Sequence, residues 1–440
     1  MEKPALNDSM MDLILSSENM HKDWKQVKRN GGSPGIDGMT IDKFPDYLRE
    51  RWHKIRQALL LGYYVPAPVL RVEIPKKSGG WSQTSLLLAY APVGKRMLGI
   101  STILDRVIQQ AISQILNPIF DPEFSEYSYG FRPGRSAHGA VRQVNTYVKS
   151  GYKYAVDLDL EKFFDTVNHD ILMNLVARKI KDKTVLKLIG RYLRAGIWDR
   201  EGNTIPTSIG TPQGGPLSPL LSNILLDQFD RELERRNLRF ARYADDAIIL
   251  VRRLCDGKTI LSEITMFLDR KLKLVVNQKK SKVAKVAECN FLGFTFKGKK
   301  IRWTESSFQE FHYQLKYLTR RSWGVSMEYR FRKLNQYIRG WMNYYGISQY
   351  YSPLQNIDEW LRRRIRMCYW KQWRYPRTKV RKLMELGVPR DFAIMTGASS
   401  KSYWHLSKTF STNAGMSNKW LEKQGLINIK AQWCKAQGYS

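Results

Sequence analysis

The stretch RFARYADDAIILVRR, residues 239–253, carries two adjacent carboxylates, Asp245 and Asp246, between apolar residues. Neighbouring side chains of a strand point to opposite faces, so a strand alone cannot bury both acids together. Aspartate favours tight turns, and one interpretation is a hairpin tip without any chemical role. The alternative is that the tip presents both acids to a ligand, and the rest of the sequence must decide between the two.

A second group of acids lies in VDLDLEKFFDTVNHD, residues 156–170, where Asp157 and Asp159 share one face of a strand. If Asp159 came beside Asp245 and Asp246, three carboxylates would converge, which folded proteins tolerate mainly when divalent cations neutralise them. Two Mg²⁺ ions about 4 Å apart can activate a hydroxyl and stabilise a leaving oxygen. The acids therefore predict a two-metal site for phosphoryl transfer.

A glycine-rich segment, GTPQGGPLSPLLSNI at residues 210–224, lies between the two acidic segments. Glycines let a backbone approach a ligand closely, and Gln213 can hydrogen-bond to a phosphate or a sugar. Its position in the chain predicts that it belongs to the same site.

The charge of the chain indicates a polyanionic partner. Its 440 residues, 43% of them hydrophobic, allow two or three domains, while 73 Lys and Arg against 40 Asp and Glu give a net charge of +33. No apolar run of about 18 residues and no signal-like amino terminus is present, so no membrane partner is expected. The composition favours an intracellular protein that faces nucleic acid, with four reduced cysteines and neither zinc nor disulfides.

The elements that must position these residues mix helices and strands without strict alternation, which predicts an α+β fold. A strand is expected at 154–160, before the hairpin at 239–253. Helices are expected at 40–61, 102–116, 138–148, 169–178, 185–193 and 220–236.

The character of the chain changes after residue 300. Residues 301–440 hold 25 basic and 8 acidic residues, a net of +17, and nine of the thirteen tryptophans. Helical spacing predicts helices at 334–346 and 357–373, the second ending before Pro376. Aromatic residues at this spacing are expected in a core, whereas Arg362, Arg363, Arg364 and Arg366 are expected to contact phosphates.

The ordered set LDLEKFFD, GTPQGGPLSP, YADD and FLGF resembles reverse transcriptases. Nearly the whole chain resembles the group II intron-encoded reverse transcriptase/maturases of the compact bacterial type without an endonuclease domain. SPGIDGMT, RVEIPKKSGG and YSYGFRPGRSAH are similar to the amino-terminal and fingers motifs of that family. LNQYIRGWMNYY and RIRMCYWKQW resemble its thumb, or maturase, region.

The resemblance implies an α+β right-hand polymerase, with an antiparallel sheet in the fingers-palm, a helical thumb and a small basic carboxyl-terminal domain. The expected boundaries are an amino-terminal extension at 1–40, fingers-palm at 41–300, thumb at 301–376 and a DNA-binding segment at 377–440. The implied activity is RNA-directed DNA synthesis, together with assistance to intron folding and splicing. The implied partners are intron RNA, an RNA template, a DNA primer or target DNA, and dNTPs; no protein partner is indicated.

The same resemblance implies roles for individual residues. Asp159, Asp245 and Asp246 would bind two Mg²⁺ ions, or Mn²⁺, with the backbone of Leu160 nearby, and Asp157 would be structural. Phe164 would lie under the nucleotide sugar and exclude a 2′-hydroxyl, unless it is a core aromatic like its neighbour Phe163. The remaining nucleotide-binding residues would be Lys76, Arg96, Gln213 and Lys280, the last as a proton donor to pyrophosphate. Contacts with primer or template would come from Phe291, Leu292, Gly293, Arg362, Arg363 and Arg366.

One departure from the family pattern is WSQTSLLLAYAPVGK, residues 81–95, which interrupts the fingers hairpin between Gly80 and Arg96. A long insertion at a hairpin tip costs little loop-closure entropy, so the palm can fold regardless. Our hypothesis is that Lys76 and Arg96 still converge across the base of the inserted loop. The alternatives are that the insertion displaces Arg96, or that both cations are merely solvated.

Three rival functions remain from the sequence. A catalytically silent RNA-binding splicing factor is disfavoured because all three acids are intact. An RNA-dependent RNA polymerase is disfavoured by Phe164, which would occupy the space that a ribose hydroxyl needs. A domesticated enzyme of the same type, acting in DNA repair or phage defence, is compatible with the sequence.

Overall fold

The computed structural model describes residues 9–75, 95–198, 203–207, 209–211 and 214–439. The chain divides into two compact units, Met1–Leu292 and Gly293–Ser440. Lys76, Gln213 and the inserted segment 81–94 lie outside the described residues, as does the side chain of Arg96. In the ranges described, every helix is too short or too polar to span a bilayer.

The first unit combines helices with two sheets. Its helices are α1 (Met10–Ile14), α2 (Ser17–Asn30), α3 (Phe44–Leu60), α4 (Ile103–Phe120), α5 (Ala137–Lys149), α6 (Phe163–Thr166), α7 (His169–Lys179), α8 (Lys183–Leu193), α9 (Ser218–Arg235) and α10 (Leu254–Phe267). Its strands are β1 (Val69–Pro75), β2 (Lys95–Ile100), β3 (Tyr154–Leu158), β4 (Ile197–Trp198), β5 (Thr204–Ile205), β6 (Arg239–Tyr243), β7 (Asp246–Val251) and β8 (Lys282–Lys285).

The central sheet has the order β6-β7-β3-β8, and all its neighbouring strands are antiparallel. Strand β7, DAIILV, is buried after its first residue, as expected for a central strand with an apolar run. Helix α10 packs closely on this sheet, since a Cβ on Gly257 would lie 2.5 Å from Val283 Cγ1. The predicted α+β class with an antiparallel sheet is confirmed.

A second sheet has the order β2-β1-β4-β5. Strands β1 and β2 pair antiparallel from Leu70↔Ile100 to Pro75↔Lys95, whereas β1 and β4 pair in parallel. The backbone of Arg96 lies opposite Ile74 in this register. The base of the predicted fingers hairpin is therefore a regular antiparallel ladder.

Helix α4 extends past a proline that was expected to end it. The predicted helix ended at residue 116 because Asn117-Pro118 follows, but α4 continues to Phe120 with Pro118 inside it. A proline removes one backbone donor and disfavours a helix interior. The cost is outweighed because Phe120, 4% exposed, packs into the core of the unit on the same face as Leu116.

The second unit begins with the hairpin of β9 (Phe294–Lys297) and β10 (Lys300–Trp303) and continues as helices. They are α11 (Glu305–Leu318), α12 (Met327–Tyr345), α13 (Ser352–Gln372), α14 (Pro376–Glu385), α15 (Arg390–Gly397), α16 (Tyr403–Leu406), α17 (Phe410–Gly415), α18 (Asn418–Lys423) and α19 (Ile429–Gln437). Pro376 starts α14 rather than ending α13, because the first helical turn tolerates a missing donor.

Aromatic residues fill the core of the second unit, as their helical spacing predicted. Phe311 and Trp341 stack with ring centroids 4.1 Å apart, and Trp303 packs against Trp341 at 5.3 Å. Trp370 is fully buried. Large aromatic rings supply most of the apolar area that such a small helical core can bury.

Candidate active site

Asp245 and Asp246 lie at the tip of the β6–β7 hairpin. Tyr243 pairs with Asp246, which leaves Ala244 and Asp245 as a two-residue turn, with a φ of 58° at Ala244. Positive φ is characteristic of short hairpin turns. The turn also fits against Gly130, where an added Cβ would lie 2.2 Å from the Ala244 nitrogen. Gly130 thus allows a backbone approach that no other residue would permit.

The Arg242 side chain supports this turn through hydrogen bonds. The side chain is 1% exposed, and its guanidinium donates to both oxygens of Asp230, at 2.7 and 2.5 Å. It also donates to the Ala244 carbonyl at 2.9 Å and to Ser128 Oγ at 2.8 Å. A bidentate buried pair fixes the plane of the guanidinium, so the turn carbonyl has a fixed donor. Sequence reasoning missed Arg242, although an arginine between apolar residues of a strand signals a buried partner.

Residues 127–130 run beside β6 and complete the support. The Arg242 backbone nitrogen donates to the Tyr127 carbonyl at 2.9 Å, and the Tyr129 nitrogen donates to the Arg242 carbonyl at 2.8 Å. From α9, the Asn223 side-chain amide donates to the Gly130 carbonyl at 2.9 Å. The motifs YSYGF, SPLLSN and YADD are therefore joined by hydrogen bonds, although they are far apart in the chain.

Asp159 reaches the same edge of the central sheet. The last β3–β7 pair is Leu158↔Ala247, and the next position of this register sets Asp159 opposite Asp246. The turn at 277–281 encloses Asp159, since Ser281 Oγ accepts from its nitrogen at 3.0 Å. Lys280 Nζ lies 3.1 Å from Asp159 Oδ2. Leu160 forms an isolated bridge with Val276, which continues the support beyond β3.

The pKa of Asp246 shows that the acids lie close enough to interact. The pKa of Asp246 is raised to about 6, first by loss of water around the carboxylate and then by repulsion from Asp245, Asp159 and Asp157, while Lys280 opposes the rise. The pKa of Asp157 is also raised to about 6, mainly by burial. Crowded carboxylates raise one another's pKa in this way when no cation compensates them fully.

The donor set fits a hard divalent cation. Asp159, Asp245 and Asp246 offer carboxylate oxygens, which are the ligands that Mg²⁺ and Mn²⁺ prefer. Within the described ranges, no group of three or more His, Cys, Asp or Glu side chains is already placed to hold a metal ion. Asp159, Asp245 and Asp246 stay the candidate metal ligands, and Lys280 forms an ion pair with Asp159.

The glycine-rich loop joins the segment that carries Phe164. The Thr211 nitrogen donates to the Phe164 carbonyl at 2.6 Å, and His169 Nε2 donates to the Gly210 carbonyl at 2.6 Å. On its other side, a Cβ on Gly214 would lie 2.9 Å from the Gly99 carbonyl of β2. The loop thus connects the acidic segment to the fingers strand. Gln213 itself lies outside the described residues.

Phe163 and Phe164 differ in burial. Phe163 is 2% exposed and belongs to the core of the unit, whereas Phe164 is half-buried at its margin. Their rings meet edge to face with centroids 5.1 Å apart. Phe163 therefore fixes the ring of Phe164 from the core side.

Arg362 and Arg366 are predicted to contact primer or template, but both side chains are buried and bonded within the second unit. Arg362 is 3% exposed and pairs with Asp358 at 2.8 Å and Glu422 at 3.0 Å. Arg366 is 8% exposed and donates to the Met416 carbonyl at 2.8 Å. One of these partners is a carboxylate one helical turn away, and the others lie in segments 50 to 60 residues later in the chain. The two arginines therefore hold segments of the second unit together.

Arg363 and Arg364 are half-buried and also serve the fold. The Arg363 guanidinium lies 3.7 Å from the ring centroid of Trp404 and donates to its carbonyl at 2.9 Å. Arg364 donates to Thr319 Oγ1 at 2.6 Å and to the Lys316 carbonyl at 3.1 Å. A contact between Arg363 and primer or template stays a prediction that must compete with these bonds.

The FLGF segment contains a sharp backbone turn. Phe291 is 3% exposed, and Leu292 and Gly293 both have positive φ, 53° and 79°. A Cβ on Gly293 would lie 2.7 Å from the Tyr345 hydroxyl oxygen, so glycine is required there. A role of these residues in holding the primer terminus stays a prediction, and it would rest on the backbone because the ring of Phe291 is buried.

Comparison with known families identifies the first unit. Residues 74–296 match the family described as reverse transcriptase (RNA-dependent DNA polymerase). The chain belongs to the reverse transcriptase family. Residues 308–387 match the maturase-specific domain of group II introns, so this reverse transcriptase is of the group II intron type. The predicted family and enzyme class are confirmed.

Several curated proteins are similar to this reverse transcriptase. Protein YkfC of Escherichia coli is 32% identical over 336 residues, which cover 68% of this chain and 80% of that protein. The putative COX1/OXI3 intron 2 protein of Saccharomyces cerevisiae is 30% identical, covering 67% of this chain and 39% of that protein. The group II intron-encoded protein LtrA of Lactococcus lactis is 36% identical over 50% of this chain and 34% of its own length. This reverse transcriptase thus spans well under half of the latter two.

Proposed function

We propose that this chain copies RNA into DNA by attack of a primer 3′-hydroxyl on the α-phosphate of a dNTP, with release of pyrophosphate. Asp159, Asp245 and Asp246 would hold two Mg²⁺ ions. When bound, these ions would lower the pKa of the attacking hydroxyl and stabilise the charge on the leaving oxygen. The observation that carries the proposal is the β3–β7 register, which sets Asp159 opposite Asp246 at a tip where burial and the neighbouring acids raise the pKa of Asp246.

The nucleotide would lie over Phe164, between the acids and β2. The proposal is supported by the glycine-rich loop, which bonds to the Phe164 backbone and approaches β2 at Gly99. Phe164 would exclude a 2′-hydroxyl, and Gln213, Lys76 and Arg96 would contact the triphosphate or sugar. Lys280, held against Asp159, would donate a proton to the leaving pyrophosphate.

We also propose that the protein binds intron RNA and assists its splicing. The support is the match of residues 308–387 to the maturase-specific domain and the net charge of +33. In this proposal, residues 41–300 are the fingers-palm, 301–376 the thumb and 377–440 a segment that binds target DNA. Residues 1–40 form the amino-terminal extension.

The decisive experiment compares Asp245→Asn with Asp170→Asn, a change of an exposed acid on α7. We expect Asp245→Asn to abolish primer extension and to leave RNA affinity within a few fold, because the acids serve metals and basic surfaces serve phosphates. Asp170→Asn should extend primers like the wild type. Extension by Asp245→Asn at a tenth of the wild-type rate or more would contradict the metal assignment.

A further inference from the structure

The second unit contains an open cavity of about 760 Å³ between α11, α13 and α16. Its volume falls within the range of roughly 300–1,000 Å³ that holds a small organic molecule. Five cationic side chains line it, and no carboxylate does. These five cations are Lys316, Arg320, Arg321, Arg364 and Lys371.

The cations of this cavity lack counterions. In the part of the chain that the structure describes, none of the five lies within ion-pair distance of an acid, whereas Arg362 on the same helix α13 has two carboxylates. Arg364 is held by the Thr319 hydroxyl and by carbonyls, which fix its position without neutralising its charge. Crowding like charges costs free energy that an anionic ligand would recover.

Aromatic rings form the other wall of the cavity. The Trp360 ring packs against His312 with centroids 4.2 Å apart and ring planes tilted by 30°, and the Arg364 guanidinium lies 5.1 Å from the Trp360 centroid. Tyr403 and Trp404 line the same space. The pKa of His312 is lowered, first by burial and then by Lys316 and Arg364, which is consistent with a positive field in the cavity.

We propose that this cavity binds an unpaired nucleotide of single-stranded RNA, with the base against the aromatic wall and the phosphates on Arg320, Arg321 and Lys371. Flat rings beside unpaired cations favour a single strand, because only unpaired bases expose a face for stacking. The inference deepens the proposed RNA-binding role of this region and rests on that proposal for the identity of the polyanion.

The test measures equilibrium binding with a fluorescein-labelled single-stranded RNA of twelve nucleotides and an RNA hairpin duplex, without dNTPs or synthesis. The double variant Arg321→Gln/Lys371→Gln is compared with Arg339→Gln/Lys419→Gln, which removes the same charge from exposed sites outside the cavity. We expect the cavity variant to lose about tenfold in single-strand affinity and about 1.4 in salt slope, roughly 0.7 per lost phosphate contact. The control variant should lose at most threefold.

Stacking gives a second readout. The fluorescence of 2-aminopurine in the single strand should be quenched on binding, and Trp360→Leu should reduce the quenching while the salt slope stays unchanged. Trp404→Leu tests the opposite part of the wall, and thermal unfolding shows which of the two variants is folded. The proposal would be overturned if the cavity and control variants lost the same affinity for the single strand. It would also be overturned if the cavity variant lost the same affinity for the single strand and for the duplex.

The outcome is separable from the polymerase proposal. If Asp245→Asn kept primer extension while the cavity variant still lost single-strand affinity, the metal assignment would fail and the cavity assignment would stand. If Asp245→Asn abolished extension while both charge variants bound alike, the reverse would hold.

Discussion

The acidic hairpin tip of the first unit and the basic cavity of the second unit collect charge of opposite sign. In both units the neighbouring charges that support the structure are paired: Arg242 with Asp230 beneath the tip, and Arg362 with Asp358 on the helix that lines the cavity. The tip and the cavity differ from these supports because their charges remain largely uncompensated within the protein. A charge that finds a partner inside the fold is compensated there, and charges left without one are available to a ligand.

Arg242 should give the largest effect among the paired charges. Arg242→Met leaves Asp230 buried without a partner, at a cost of about 3–5 kcal/mol in the free energy of unfolding. It also removes the donor to the Ala244 carbonyl, so primer extension should fall at least tenfold at temperatures where the variant is folded. Thermal unfolding and single-nucleotide extension measure the two effects.

The double variant Arg242→Met/Asp230→Leu distinguishes positioning from stability. Removing both charges should restore most of the unfolding free energy, because a buried pair contributes little beyond compensating itself. Extension should remain low because the turn still lacks its donor. Recovery of the wild-type extension rate would mean that Arg242 contributes only to stability and does not position the turn.

Paired and unpaired arginines of the second unit should behave oppositely. Arg362→Gln leaves buried polar partners unsatisfied and should lower the unfolding free energy by about 1–3 kcal/mol, with no change in the salt slope of RNA binding. Arg321→Gln should lower the slope by about 0.7 and leave the melting temperature unchanged. A drop in slope for Arg362→Gln would mean that pairing does not separate structural from binding charges here.

Asp23 offers a smaller test, since it is a buried acid without an ion-pair partner among the described residues and lies away from any proposed site. It is fully buried on α2, neither carboxylate oxygen has a hydrogen-bond partner among the described residues, and burial raises the pKa to about 8 from 3.8. Between about pH 4 and pH 8 the folded state holds a proton on Asp23 that the unfolded state releases. The stability that this proton contributes is complete below pH 4 and is lost as the pH rises to about 8.

Asp23→Asn should therefore raise the melting temperature relative to wild type by a few degrees more at pH 8 than at pH 5. The variant carries no ionisable group at this position, so its own stability should vary less with pH. Thermal unfolding at both pH values measures the difference. The same shift at both would show that Asp23 is ionised in the folded protein, and that buried unpaired acids are not neutralised by protonation here.

Local sequence patterns predict many of the helices and strands. Helices α5, α7 and α8 begin and end within two residues of the predicted bounds, because apolar residues at a spacing of three and four and capping residues are local features. The hairpin at 239–253 was predicted from alternation and from an aspartate turn, and β6 and β7 confirm it. The end of α4 was predicted wrongly, because burial of Phe120 is a tertiary effect that overrides a local proline signal.

The sequence alone determined the reverse transcriptase family, the acids that are candidates for metal binding and the basic character of the second unit, since motifs and charges can be read without coordinates. Only the tertiary structure decided which charges are paired. Arg242 pairs with Asp230, which lies 12 residues away in sequence, and Arg362 and Arg366 have partners 60 and 50 residues away. The cavity draws its cations from segments on both sides of residue 350. Ion pairing and desolvation depend on distances of a few ångströms between such segments, and no local pattern in the chain encodes those distances.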